Sequence, residues 1–217
     1  MYKVCYIIQD LSYGGIPTFI MNLVTKLKGK FEFYFIATDN PDINIRFHEL
    51  GYARYFGRDW DNITKFFEEQ KIDIVQFSNC LSYKKCALKA GVPIIIERTA
   101  GPRSCKLNRE GVTHVISSTK GTVPLIRQNY DGPISILYNG VSIDRFANVK
   151  PDRLHFKKDD FVVCYCARIG GVGQGFDVLI KAVLEARKTH DVKLVLIGDR
   201  PKSSAEDIRK ELRKLAK

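Results

Sequence analysis

The stretch Val4-Cys5-Tyr6-Ile7-Ile8-Gln9-Asp10-Leu11-Ser12-Tyr13-Gly14-Gly15-Ile16-Pro17 decides the fold class. Val4–Ile8 is a short apolar run of strand character. After Gly14-Gly15 the apolar residues Ile16, Phe19, Ile20, Leu23 and Leu27 recur at three- and four-residue spacing, which puts them on one helix face. Pro17 suits a first helical turn, where its missing N–H would be unpaired anyway. The stretch therefore reads as strand, glycine turn, helix.

The same alternation continues along the chain. Strands are expected at Phe31–Ala37, Ala53–Phe56 (weak), Ile72–Phe77, Pro93–Ile96, Thr113–Ser117 and Ile134–Tyr138. Helices are expected at Ile43–Leu50, Asp59–Gln70, Tyr83–Ala90 and Gly121–Tyr130. The polar segment Thr99–Arg109 is expected to be a loop. Strands alternating with helices imply a parallel sheet covered on both faces. A second unit begins near Pro151, with a strand at Phe161–Cys166, the cluster Gly170-Gly171-Val172-Gly173-Gln174-Gly175, a helix carrying Phe176, Leu179, Ile180 and Val183, a strand at Val192–Ile197 and a helix-prone tail at Ser203–Lys217. A doubly wound domain usually needs about four or more strands, so this second domain is expected to be incomplete.

Composition narrows the class. The 217 residues are 45% hydrophobic and 27% charged, as in an ordinary globular protein. The net charge of +11, from 35 basic and 24 acidic residues, favours anionic partners. Without a helix-turn-helix, zinc-finger or aromatic RNA-binding motif, nucleic acid is disfavoured. The cysteines Cys5, Cys80, Cys86, Cys105, Cys164 and Cys166 form no C-x-x-C pair and have no histidine at zinc-ligand spacing. They read as reduced thiols, and Cys5, Cys164 and Cys166 lie in apolar runs as small hydrophobes. No apolar stretch approaches the roughly 20 residues that span a bilayer. The N-terminal run is too short and early for a signal peptide, so a cytoplasmic location is expected.

Glycine at a strand-to-helix turn lets backbone N–H groups approach a ligand, and a helix N-terminus favours an anion. Gly14-Gly15 and Gly170–Gly175 are such turns, although neither matches G-x-G-x-x-G or a P-loop. Tight packing of helix on strand explains such glycines about as well. Arg168, at the end of a strand, is placed to neutralise a diphosphate, and otherwise is a surface arginine.

The segment Tyr138-Asn139-Gly140-Val141-Ser142-Ile143-Asp144-Arg145-Phe146 resembles the N-G-V-D-x-x-x-F segment of group 1 (family 4-like) retaining glycosyltransferases with the GT-B fold. Other features agree in order: Gly14-Gly15 after the first strand, Asp73-Ile74-Val75, Arg168, Gln174-Gly175, Asp177-Val178-Leu179-Ile180-Lys181-Ala182, and a strand ending Gly198-Asp199. The resemblance spans essentially the whole chain. It implies residues 1–150 as an acceptor-side Rossmann-like domain and residues 151–217 as the beginning of a donor-binding domain. It implies a hexosyltransferase-type enzyme of polysaccharide biosynthesis. Such an enzyme moves a sugar from a nucleotide-sugar to a glycan or lipid-linked acceptor, with retention, in the cleft between domains. No cofactor or metal is implied.

The family positions fall on Arg168 and Gln174 as catalytic, on Gly14, Gly15, Gly173 and Gly175 for donor phosphates, on Arg98 and Thr99 for the acceptor side, and on Asn139 and Gly140 at a hinge. Departures are Gln174 for a lysine, a turn one residue longer, Ser142 for an aspartate and Thr99 for a histidine. His114 lies too far along to replace that histidine and reads as a strand residue. Two glutamates eight positions apart, which bind the donor sugar in the family, are absent. The chain alone is therefore expected to turn over little donor. A non-catalytic binding or assembly subunit remains the alternative. The helix Ile16–Lys28 ends in lysines, which suggests contact with an anionic membrane carrying the acceptor.

Overall fold

The computed structural model describes residues 1–99, 101, 107–150, 156–167, 175–198 and 210. The chain divides into two compact units, Met1–Asn148 and Val149–Lys217.

In the first unit, seven strands form one parallel sheet: β1 (Tyr2–Ile8), β2 (Phe31–Ala37), β3 (Tyr52–Tyr55), β4 (Ile74–Ser78), β5 (Ile94–Thr99), β6 (His114–Ser117) and β7 (Ile134–Ile136). Their spatial order is β3-β2-β1-β4-β5-β6-β7. The helices between them are α1 (Gly15–Leu27), α2 (Ile45–Leu50), α3 (Trp60–Gln70), α4 (Lys84–Lys89) and α5 (Val123–Arg127).

Handedness explains the layering. Right-handed crossovers running outward from β1 through β2 to β3 put α1 and α2 on one face. Crossovers running the other way, from β3 through β4 to β7, put α3, α4 and α5 on the opposite face. The core follows this division. Val4, Tyr6 and Ile8 pack with Phe33, Phe35, Phe19, Val24 and Phe47 in one cluster. Cys5 and Ile7 pack with Ile36, Val75, Phe77, Ile63, Phe67 and Ile126 in the other. Successive residues of one strand thus serve two cores, which is why the strands are apolar runs and not alternating patterns.

Many ends differ from the sequence pattern by one or two residues, and three differences bear on the site. β5 continues to Thr99, three residues past the last apolar one, because its polar side chains find buried partners. α5 is only Val123–Arg127, and its end is held by Arg127 Nη1 donating to Tyr130 O and Gly132 O, at 3.2 and 2.6 Å. β7 stops at Ile136, after which Leu137 N still donates to Ser117 O at 2.9 Å.

In the second unit, β8 (Phe161–Cys166) and β9 (Val192–Ile197) pair in parallel, and α6 (Phe176–Ala186) packs on them. Tyr165 meets Phe176 edge-on at 5.0 Å. Cys164 and Cys166 lie on the strand face opposite Tyr165 and are exposed, so they are not core residues here. Cys5 is fully buried as expected. Cys105 and the whole of the tail Ser203–Lys217 except Lys210 lie outside the described residues.

Gly51, between α2 and β3, adopts extended backbone, yet a Cβ there would lie 2.2 Å from Phe33 O. Gly51→Ala is expected to destabilise the first unit by at least about 1–3 kcal/mol, the usual cost of overpacking. A lowered urea midpoint with an unchanged m-value checks it.

Candidate functional site

Strand order reverses between β1 and β4. In open parallel sheets this switch, at the carboxyl ends of the strands, is where ligands bind. The loop leaving β1 there is tightly laced. Asp10 Oδ1 accepts from Ser12 N at 2.8 Å and from Asn40 Nδ2 at 3.2 Å. Asn44 Nδ2 donates to Ser12 O at 3.3 Å, and Asn44 N to Leu11 O at 3.1 Å. Leu11 is fully buried and anchors the loop from below.

The loop delivers Gly14 to the start of α1 with φ 144° and ψ 177°, a conformation essentially restricted to glycine. No side chain caps α1, and no acidic residue stands in its first turn. Its first N–H groups lack intrahelical partners by geometry and carry the positive end of the helix dipole. A Cβ on Gly15 would meet nothing within 4 Å. Among the described residues of this unit the helix start is therefore uncovered, and it is suited to an anion.

Gly175 has the same role at α6, with φ 70° and no side-chain cap. Here Asp177 already occupies the first turn, which makes this N-terminus less receptive to an anion than that of α1. Arg168, Gly173 and Gln174 lie outside the described residues.

Arg98 and Thr99, adjacent on β5, face opposite sides of the sheet and are both buried. Thr99 Oγ1 donates to Ile116 O at 3.4 Å. Arg98 lies 3.9 Å from the ring centroid of Phe19 on α1 and donates through Nη2 to Asn139 Oδ1. Its Nε has no hydrogen-bond partner, and no carboxylate pairs with it, among the described residues. Burial pulls the Arg98 pKa below its ordinary value, opposed by Tyr6, and burial pushes the Tyr6 hydroxyl up to about 12. The structure thus joins Arg98 to Asn139, residues 41 positions apart, and does not join Arg98 to Thr99. Beyond Asn139, Gly140 has open space around it, and Asp144 forms an exposed ion pair with Lys26 of α1 at 3.2 Å.

A second buried cation escaped the sequence pattern. Arg109 Nε lies 2.6 Å from Glu97 Oε2, and both side chains are essentially inaccessible. Arg109 also donates to Glu97 Oε1 at 3.1 Å and to Asn129 Oδ1 at 2.7 Å. Burial raises the Glu97 pKa, while Arg109 lowers it. Lys84 Nζ donates to Asn108 O and Glu110 O at 2.9 and 2.7 Å. Together these contacts fasten Asn108, Arg109 and Glu110 ahead of β6. A charged residue directly after an apolar run, as Glu97 follows Ile96, was the available signal. His114 sits on β6 with Nε2 2.9 Å from Ser135 Oγ, as a strand residue.

No protein-family model matches the chain. No curated protein matches its sequence. Its structure is similar to that of a glycosyltransferase from Rickettsia africae ESF-5, with TM-score 0.73 and 17% identity over 99% of this chain and 64% of that one. It is equally similar to Anabaena Alr3699/HepE in complex with UDP and glucose, with TM-score 0.73 and 15% identity over 99% and 65%. The S. aureus MnaA–UDP structure matches at TM-score 0.58 and 14% identity over 98% and 66%. The fold is of the GT-B type.

The chain spans about two thirds of the length of these GT-B proteins. Among the described residues no helix is long and apolar enough to cross a membrane. Within the GT-B framework, the buried Glu97–Arg109 pair ties Arg109, ahead of β6, to β5 next to Arg98. Removing one partner strands a buried charge, at a cost of about 3–5 kcal/mol. Arg109→Met is expected to show that loss in chemical denaturation. The double variant with Glu97→Leu should recover most of it, since neither charge is then left unpaired.

Proposed function

We propose that the protein is a nucleotide-sugar-dependent glycosyltransferase of the group 1 type, acting with retention on a glycan or lipid-linked saccharide. The observation that carries this reading is the GT-B fold shared with HepE, a protein solved with UDP and glucose and with UDP-glucose. The uncapped, acid-free N-terminus of α1 at the strand switch supports it.

In this reading the backbone at Gly14 and Gly15 approaches the donor diphosphate. Arg168 neutralises the leaving group by directed hydrogen bonds, with Gln174 and the backbone at Gly173 and Gly175 beside it. The work of the site is to stabilise an oxocarbenium-like transition state and the departing diphosphate, with no metal. Gln174 carries no charge, so its contribution to the leaving group is weaker than that of a lysine. Arg98 acts on the acceptor side through its hold on Asn139, and Thr99 shapes the neighbouring strand end. Residues 1–150 serve the acceptor and residues 151–217 begin the donor domain. The +11 charge draws in the anionic donor and an anionic membrane surface from the cytoplasmic side.

A second reading, a non-catalytic binding subunit, is favoured by Gln174 and Thr99, which stand where the family carries a lysine and a histidine. Calorimetry with UDP and a panel of nucleotide sugars, alongside detection of released nucleotide, separates the two. Binding with turnover supports the enzyme, binding without turnover supports the subunit, and no binding of any nucleotide sugar defeats the donor assignment.

Gly15→Ala sharpens the test. The added methyl has room, and alanine favours a helix by about 1 kcal/mol over glycine, so stability should hold or rise. If the backbone cradles phosphate, nucleotide-sugar affinity should fall about tenfold or more, some 1.4 kcal/mol. Unchanged affinity would remove the Gly14-Gly15 turn from the donor site.

A further inference from the structure

The strand switch has a second mouth, on the face covered by α3. A cavity of about 230 Å³ opens there, lined by residues that follow β1, β2 and β4, including Gln9, Asp39 and Asn79, and by Arg58, Trp60 and Tyr83. None of them belongs to the donor or acceptor positions considered above.

Trp60 and Tyr83 form an aromatic wall, with ring centroids 5.1 Å apart and planes 27° apart. Tyr83 is buried, and Trp60 keeps 39% of its surface exposed. Asn79 stands directly after β4 with φ 62°, a backbone state that few non-glycine residues occupy and that is enriched at binding sites. The floor is neutral. The Cys80 thiol donates to Ile7 O at 2.9 Å and is pushed up to about 12 by burial. Asp39 and Arg58 both line the mouth, which therefore holds one carboxylate and one guanidinium.

This donor and acceptor set differs from that of an anion site. A flat aromatic surface suits the C–H face of a pyranose. A planar carboxylate, two amides and a guanidinium suit its neighbouring hydroxyls, which need paired donors and acceptors. The volume lies below the roughly 300–1,000 Å³ of a drug-sized pocket, which fits one ring. We propose that this cavity is a carbohydrate subsite that takes a single neutral pyranose ring, the terminal sugar of the acceptor. The assignment of that ring to the acceptor rests on the glycosyltransferase reading, whereas the binding of a ring does not.

Trp60 is the single tryptophan of the chain, so its emission reports on this cavity directly. The intact protein is titrated with methyl glycosides of common hexoses and N-acetylhexosamines to about 100 mM, which resolves millimolar dissociation constants. At least one glycoside should shift the emission saturably. Asp39→Asn should weaken that glycoside tenfold or more. Asn79→Gly, which relieves the unusual backbone state while removing the amide, should weaken it without loss of stability. No saturable shift with any glycoside overturns the proposal, as does an unchanged affinity in both variants. Competition by uridine for the same signal also overturns it, by making the cavity a base site. Nucleotide-sugar binding is measured in parallel on the same protein. Its failure would count against the glycosyltransferase reading and leave a glycoside response standing.

Discussion

A parallel sheet must be covered on both faces, and its crossovers must be right-handed. Everything notable in the first unit depends on that constraint. β1 is the strand from which the chain winds outward in one direction and to whose other side it returns with β4. The two windings necessarily place their helices on opposite faces. They therefore leave a gap in loop coverage where they part, above β1 and β4. The glycine turn into α1 and the cavity beside α3 are the two sides of that gap.

The gap is shaped by polar contacts that stiffen its walls. Asp10, Ser12, Asn40 and Asn44 lace the loop after β1 to the loop after β2. Ordering these loops before a ligand arrives lowers the entropy lost on binding. Farther along, β5 carries Glu97, Arg98 and Thr99 inside the sheet. Glu97 takes a bidentate partner in Arg109, while Arg98 takes a ring and an amide. A buried charge is costly unless well partnered. Such residues are consistent with a strand end that places particular neighbours, Asn139 above all, at the cost of some stability.

The second unit behaves differently. β8 and β9 use one face to receive α6, through Tyr165 and Phe176. The other face leaves Cys164 and Cys166 exposed. The apolar character of Phe161–Cys166 is thus matched on one side only among the described residues.

The sequence by itself determined the alternation of strands and helices, the Gly14-Gly15 turn and the α/β class, because side-chain periodicity and the conformational freedom of glycine act over a few neighbouring residues. The nine strands among the described residues fall where apolar runs fall, three with the expected ends and the rest with an end shifted by one to three residues. It also carried the soft, ordered motifs that resemble GT-B glycosyltransferases. Tertiary structure alone decided which polar residues enter the core. Ile96 looks like the end of β5, yet Glu97 and Arg98 continue it because Arg109 and Asn139, 12 and 41 positions away, meet them there. It likewise decided that Trp60 and Tyr83 share a cavity with Asp39 and Asn79. Burial and pairing depend on which strands become neighbours, and neighbours in this sheet are set by long crossovers that no local pattern encodes.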